Sequence, residues 1–549
     1  TRHAAPIIPH RNIQIPNTGN RPRRRWGENE RTINTMKRLY TLAAAALLLL
    51  PTGIAAQNAA VRKIMQTARE DNRAMHHLDI LCNRFGGRIT GSDAQENALK
   101  WASQCFEQWG YEVEMEQVGT LATGFNRGGW WGRMTGDEQM TLNFVTPSYT
   151  AGTKGLQRGH VVIEPTTQAE FDRIKGRLRG AWVLLNGRFH GYAISDSPDA
   201  KEYRRKTIIQ NAENERYNRE HAGEDGEKRH ISDSPGLFYD EMAKAGILGV
   251  IQASEVPMRA LYNKYVIDEK VPFDSLPTLP DIRLDEEQYN RIRTLVEQRR
   301  NVELEFDIRN HFRLGPIPYH NLVATLKGSK HPDEYVVVGA HIDSFDSATG
   351  GVDCGSGVSA VMEAARMIAT SGAKPDRTII FILFTAEEFG LWGSQAWVKA
   401  HPDMVPRISN MFNRDGGPMP YVGFAAPPSL KGEYEKIAAQ IRELYPDYPF
   451  EVRDLKPRQK PNYGGNDASV FGHAGVPVLQ MDERDVKGYN FSYGEIWHTD
   501  RDRYDKSIPE YQQQAAGALA LMVLGTANLP RRIPVDEVYV EPAEQQKQE

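Results

Sequence analysis

YVVVGAHIDS (335–344) sets an unbroken apolar run directly before a histidine and an aspartate. A β-branched run without polar alternation reads as a strand covered on both faces. His341 then stands at the carboxyl end of that strand, where α/β sheets assemble their sites. Four comparable words lie downstream: GGVDCGSG (350–357), TAEEFG (385–390), NRDG (413–416) and WHT (497–499). They follow or flank further short apolar runs, such as RTIIFILFT (377–385) and ISNMFN (408–413), with an apolar helix at 357–369 between two of them. Strand–helix alternation of this kind predicts an α/β fold: a mixed, largely parallel sheet sandwiched by helices. It gathers His341, Asp353, Glu388, Asp415 and His498 at one edge of that sheet.

Imidazole nitrogen with carboxylate oxygen is the donor set of zinc, although other divalent metals also accept it. Two ions held about 3.5–4 Å apart need a bridging carboxylate, and Asp353 is the candidate. One Zn2+ would take His341 and Asp415, the other Glu388 and His498, to activate water. Glu387 diverges from its neighbour Glu388, which suits it to carry the proton from the attacking water to the leaving group. Asp343 is placed to hydrogen-bond the far nitrogen of His341, as ligating histidines require. Asp502, four residues beyond His498, is read as a second supporting carboxylate.

Working outward, 549 residues with 40% hydrophobic and 25% charged side chains describe a globular protein of more than one domain. A net charge of −4 offers nothing to nucleic acid. No methionine precedes Met36, so residues 1–35 read as a non-native upstream extension. MKRLY and the apolar run 41–50, then small residues, form a signal peptide over 36–56. The run is shorter than the roughly 20 residues of a membrane span. The protein is therefore expected in the periplasm or outside the cell, with no stable membrane anchor. Of its three cysteines, Cys82 and Cys105 could pair there or remain buried thiols.

Helical periodicity and a strand fill 57–150, and Gly110 caps the helix ending at WASQCFEQW (101–109). Short β runs at 159–163 and 180–186 mark a small β-rich insertion over 151–310, with a charged, solvated stretch near 195–233. The main site-bearing part spans 311–530, and a polar tail covers 531–549.

The order His, Asp, Glu-Glu, Asp, His resembles the co-catalytic zinc aminopeptidase and glutamate carboxypeptidase family, closest to its carboxypeptidase Q-like branch. RFGGRITGS (84–92), NLVATLKGS (321–329) and NDASVFGHAGVP (466–477) add to the likeness, which covers about 60–150 and 310–530. The resemblance implies a zinc-exopeptidase fold, a protease-associated domain as the insertion, and hydrolysis at the end of short peptides. Aminopeptidase or dipeptidase activity is the leading expectation. Carboxypeptidase activity, a one-metal glutaminyl-cyclase-like acyltransferase and a non-catalytic binding scaffold are the alternatives, and a homodimer is left open. A carboxypeptidase would need a cation for the substrate carboxylate, for which Arg414, Arg484 and Lys487 are candidates. Two places depart from the family: Cys354 stands where a second aspartate is common, and Trp497 where some members have a tyrosine donating to the oxyanion. The Trp497 indole, Tyr489 or Tyr493 would have to replace that donor.

Overall fold

The computed structural model describes residues 52–188, 190–223, 227–267 and 271–540. The upstream extension, nearly all of the signal peptide and the end of the polar tail lie outside the described residues. Residues Gln57–Glu549 form one compact unit.

Five strands build the site-bearing sheet, in the order Glu112–Asn126, His311–Leu326, Arg377–Phe384, His331–His341, Ile408–Asn413. The last three are parallel to one another, while the first two join antiparallel. The reason is geometric. Asn126 pairs with His311, and the register then runs back to Glu112 opposite Thr325. The chain therefore leaves the sheet and returns beside its own point of departure, which forces those two long strands to oppose each other. The sheet is thus mixed, with its parallel part confined to the three strands that carry the site.

Val336, Val337, Val338 and Ile379 are fully buried, as the unbroken apolar runs predict. Helix Gly355–Thr370 is buried from Gly355 to Ile368 and packs against helix Pro509–Ala527. Helix Asp93–Trp109, which also packs against helix Gly355–Thr370, is capped by Ser92, whose hydroxyl accepts from Gln95 N–H, and ends on Gly110 at φ 94°.

The excursion between Asn126 and His311 holds a second sheet of eight strands. Its strands begin at Trp130, upstream of the expected boundary at 151. Trp182, Leu304, Phe306 and Ile251 fill its own core. The charged stretch forms helix Pro198–Glu220, of which only Arg204 and Asn211 are buried. A small third sheet joins Tyr421–Ala426 to Glu451–Asp454 and Met481–Glu483. Cys82 and Cys105 are free thiols, so the pairing left open by the sequence is not formed.

The glycine-rich loop 84–92 locks the first sheet's upper edge. Arg88 is completely buried, and its guanidinium donates to the carbonyls of Ile342 (2.8 Å), Thr349 (2.9 Å), Gly86 (3.1 Å) and Gly350 (3.1 Å). Gly87 must lack a side chain, because a Cβ there would meet Asp346 Cα at 2.4 Å. Removing a partner from a buried carbonyl costs about 1–3 kcal/mol each. Arg88→Met is expected to lower stability by about 3 kcal/mol or more, read as a shift of the urea midpoint; an unchanged midpoint would contradict this account.

Candidate metal centre

Each site residue follows a strand or sits in a loop pinned to one. His341 ends strand His331–His341, Glu387 and Glu388 follow strand Arg377–Phe384, and Asp415 follows strand Ile408–Asn413. Asp353 lies just before helix Gly355–Thr370, with a cis peptide bond to Cys354. His498 comes from a separate loop after the short helix Tyr493–Ile496, with a left-handed φ of 58°.

The five expected donors do converge. His341 Nε2 lies 3.2 Å from Asp353 Oδ1 and 3.5 Å from Asp415 Oδ1. His498 Nε2 lies 3.0 Å from Glu388 Oε2 and 3.5 Å from Asp353 Oδ2. Asp353 therefore offers one oxygen to each of two groups, His341 with Asp415 and His498 with Glu388. The interior atoms are not spent on hydrogen bonds: His341 Nε2 and Glu388 Oε1 are buried without a partner. Buried polar atoms need one, and a cation among nitrogen and oxygen donors meets that need. The residues thus fit divalent metal.

Electrostatics point the same way. Burial first, then the crowding of Asp353 against Glu388 and of Asp415 against Glu387, pushes both glutamate carboxyls well above their usual range, with His341 pulling back. Burial works against the His341 imidazolium, but the acidic groups around it, Glu387 and Asp415 among them, outweigh that and raise its pKa. For Asp353, burial is outweighed by the His341 contact, and its pKa falls. Burial takes His498 down to about 4. Without a cation, the centre holds more buried negative charge than two histidines can balance.

Supporting contacts differ in part from expectation. His341 Nδ1 meets the main-chain carbonyl of Asp343 at 3.0 Å, not its carboxylate, whose Oδ1 is 3.6 Å away. That carboxylate accepts instead from Thr90 Oγ1 (3.1 Å) and from the N–H groups of Glu387 and Glu388 (3.3 Å each). It aims the Glu-Glu turn. Asp502 accepts from the N–H groups of Val352 (2.6 Å) and Asp353 (3.2 Å), so it holds the loop of Asp353. Burial raises its carboxyl to about 7.

A cleft of about 870 Å³ opens on the centre. Its acidic lining is Asp353, Glu387, Glu388 and Asp415; its apolar wall includes Phe389, Met419 and Phe491; among the described residues no lysine or arginine lines it. Tyr493 lines it beside Asp353, whose pKa it helps to lower. Trp497 lines it with its ring 4.3 Å from that of His498. Tyr489 does not line it, and its hydroxyl donates to Glu510. Arg414 is buried behind the centre, bonded to Glu483 and to the carbonyls of Gly417 (3.2 Å) and Met419 (2.7 Å). Lys487 pairs with Glu510. The thiol of Cys354 is buried and donates to the carbonyl of Arg414 at 3.1 Å.

Two residues were not anticipated. Tyr262, from the second-sheet excursion, lines the cleft and stacks on Phe345, whose ring lies 4.5 Å from His498. Arg259 places its guanidinium 4.6 Å from the Trp497 ring centroid. Neither sits in a recognisable motif, and nothing in the sequence points to them.

Residues 321–524 match peptidase family M28. Carboxypeptidase Q of Mus musculus is 23% identical over 477 residues, covering 84% of this chain and 87% of that protein. The probable glutamate carboxypeptidase LAMP1 of Arabidopsis thaliana is 34% identical over 178 residues, 29% of this chain and 25% of that one. Among solved structures, the peptidase M28 precursor of Shewanella amazonensis SB2B shares the fold, with a TM-score of 0.54 at 20% identity over 88% of this chain and 99% of that one. The matched segment spans His341 through His498, so the converging donors lie inside it: the chain carries a domain of peptidase family M28 over residues 321–524 and is a metallopeptidase.

Proposed function

We propose that this chain is an exported two-zinc exopeptidase that removes the N-terminal residue of short peptides, an aminopeptidase or dipeptidase. The observation that carries the polarity is the charge of the cleft. Every charged side chain lining it among the described residues is a carboxylate, apart from the imidazole of His498. Zinc would offset the charge of its ligands Asp353, Glu388 and Asp415, which leaves Glu387 as the lining carboxylate not assigned to metal, and it favours a free ammonium group. The cations suggested for a substrate carboxylate do not reach it: Arg414 is buried on Glu483 and Lys487 is held by Glu510, and Arg484 is absent from the lining.

His341 and Asp415 would hold one zinc, His498 and Glu388 the other, with Asp353 between them. Bound zinc supplies Lewis acidity to the scissile carbonyl and to the attacking water. Glu387 is the proton carrier: it lines the cleft, and its backbone is fixed by Asp343. A carboxylate on the cleft wall beside the donors is placed to accept the proton of the attacking water and pass it to the departing amine. Tyr493 and the Trp497 indole stand on the cleft wall as donors for the developing oxyanion. The excursion after Asn126 is read as an inserted, protease-associated-like domain within a peptidase domain completed by 311–530. The leader after Met36 supports export, and among the described residues no helix is long and apolar enough to cross a membrane.

Wild type is expected to bind two zinc ions per chain by elemental analysis, and His498→Ala fewer; one zinc in wild type would favour the one-metal reading. Stripping zinc with a chelator is expected to lower Tm, since metal bound only by the folded chain stabilises it and its loss leaves the carboxylates unbalanced. Adding zinc back should restore the Tm; no change on stripping would contradict the site. Glu387→Gln is expected to keep its zinc while kcat falls by about 10²–10⁴ on dipeptides with a free N-terminus. Cleavage confined to N-blocked substrates with a free C-terminus would reverse the polarity.

A further inference from the structure

The second-sheet excursion sends one segment to the metal centre. After strand Gly249–Ser254 the chain runs to the His498 loop and docks there by main-chain contacts. Met258 N–H donates to Asp500 Oδ1 at 2.8 Å, and Asp500 N–H donates to the Met258 carbonyl at 3.0 Å. Arg259 and Thr499 form an antiparallel bridge. Leu261 N–H is held in turn by the Gly191 carbonyl at 2.9 Å. The backbone on both sides of Arg259 is therefore fixed against the loop that carries His498.

The Arg259 side chain is half-buried, and its guanidinium lies over Trp497, 4.6 Å from the ring centroid. Among the described residues it has no carboxylate, carbonyl or hydroxyl partner; the indole face is its contact. Four other cations of the same part of the chain are spent. Arg414 faces Glu483, Arg501 and Lys506 face Glu495, and Lys487 faces Glu510. A guanidinium held by its face on an aromatic ring keeps its N–H edge open, and that edge matches a carboxylate with two parallel hydrogen bonds. Arg259 lies two ring contacts from the centre, 4.6 Å to Trp497 and 4.3 Å from Trp497 to His498. The guanidinium thus sits against Trp497, a residue of the cleft wall that itself touches His498.

We propose that Arg259 is a specificity-determining residue that takes the free α-carboxylate of a short substrate. The cleft then favours dipeptides, with the ammonium end among the carboxylates and the other end on Arg259. This rests on the exopeptidase reading above, and it gives the excursion a direct part in substrate selection.

The test uses the zinc-loaded full chain as wild type, Arg259→Gln and Arg259→Lys. Kinetics are measured on an alanyl-leucine dipeptide, its C-terminal amide and a tripeptide. Binding is measured by calorimetry for a reduced-bond isostere of the dipeptide and for the isostere's amide. A lost charge-assisted hydrogen-bond pair corresponds to about 10–100-fold. Arg259→Gln is expected to raise KM for the dipeptide, and Kd for the acid isostere, by that factor. The amides should change less than about two-fold, kcat and zinc content should hold, and Arg259→Lys, which keeps the charge but not the fork, should recover only part of the preference for the acid. Equal loss on acid and amide, loss of zinc, or a wild type indifferent to the carboxylate would overturn the proposal. Acid-selective, Arg259-dependent binding of the isostere without cleavage of any free-amine substrate would uphold Arg259 and overturn the exopeptidase reading instead.

Discussion

Buried like charge is the constraint around which the upper edge of this protein is arranged. Asp353, Glu388, Glu387 and Asp415 meet in a space walled by the carboxyl ends of three parallel strands, with two imidazoles to offset them. Such a cluster repels itself unless metal enters and the backbone is held firmly enough not to spread. The second requirement accounts for the surrounding polar contacts. Asp343 grips the Glu387 and Glu388 N–H groups, Asp502 grips those of Val352 and Asp353, and Arg88 ties four carbonyls of the adjoining loops. Each of these anchors is itself buried, so each acts where the dielectric is low and a lost bond is costly.

The strands and the donors were legible in the sequence because both are local signals. A covered strand must be apolar on both faces, so Tyr335–Ala340 and Ile379–Phe384 announce themselves, and the word after each strand lands at the sheet's edge by necessity. What was not legible depends on pairing between distant segments. The antiparallel union of Glu112–Asn126 with His311–Leu326 is set by where the chain returns, which no local pattern records. The role of Asp343 was half visible. Its position two residues after His341 suggested a bond to the imidazole, but the strand's geometry brings its carbonyl there and turns its carboxylate to the Glu-Glu turn. Arg259 and Tyr262 gave no signal, since their partners Trp497 and Phe345 are remote in sequence.

That remote contact changes how the excursion relates to the cleft. It leaves the first sheet at Asn126 and returns at His311, paired side by side, so it could vary without disturbing the sheet. Yet its 256–262 segment returns to bridge the His498 loop, the one donor loop that does not follow a strand of the first sheet. The four other donors are positioned by the sheet or by the helix that follows the Asp353 loop. His498 takes its support from Phe345 in the loop after strand His331–His341, from Asp502, which ties its loop to that of Asp353, and from the Arg259 backbone of the excursion.

Cys354 fits the same constraint. The resemblance to the wider family sets an aspartate beside the bridging residue, which would add another carboxylate to the crowd. Here burial lifts the thiol to about 11, so it sits beside the centre as a neutral group. It is packed without slack: its sulfur donates to the Arg414 carbonyl, and a Cβ on Gly357 would meet that carbonyl at 1.9 Å and the sulfur at 2.4 Å. Arg414 in turn is fixed by Glu483 and by two carbonyls, which sets the turn carrying Asp415. The cysteine thus relieves charge on the Asp353 side and passes packing to the Asp415 side. The geometry of the five donors is kept while the negative charge they must share is reduced.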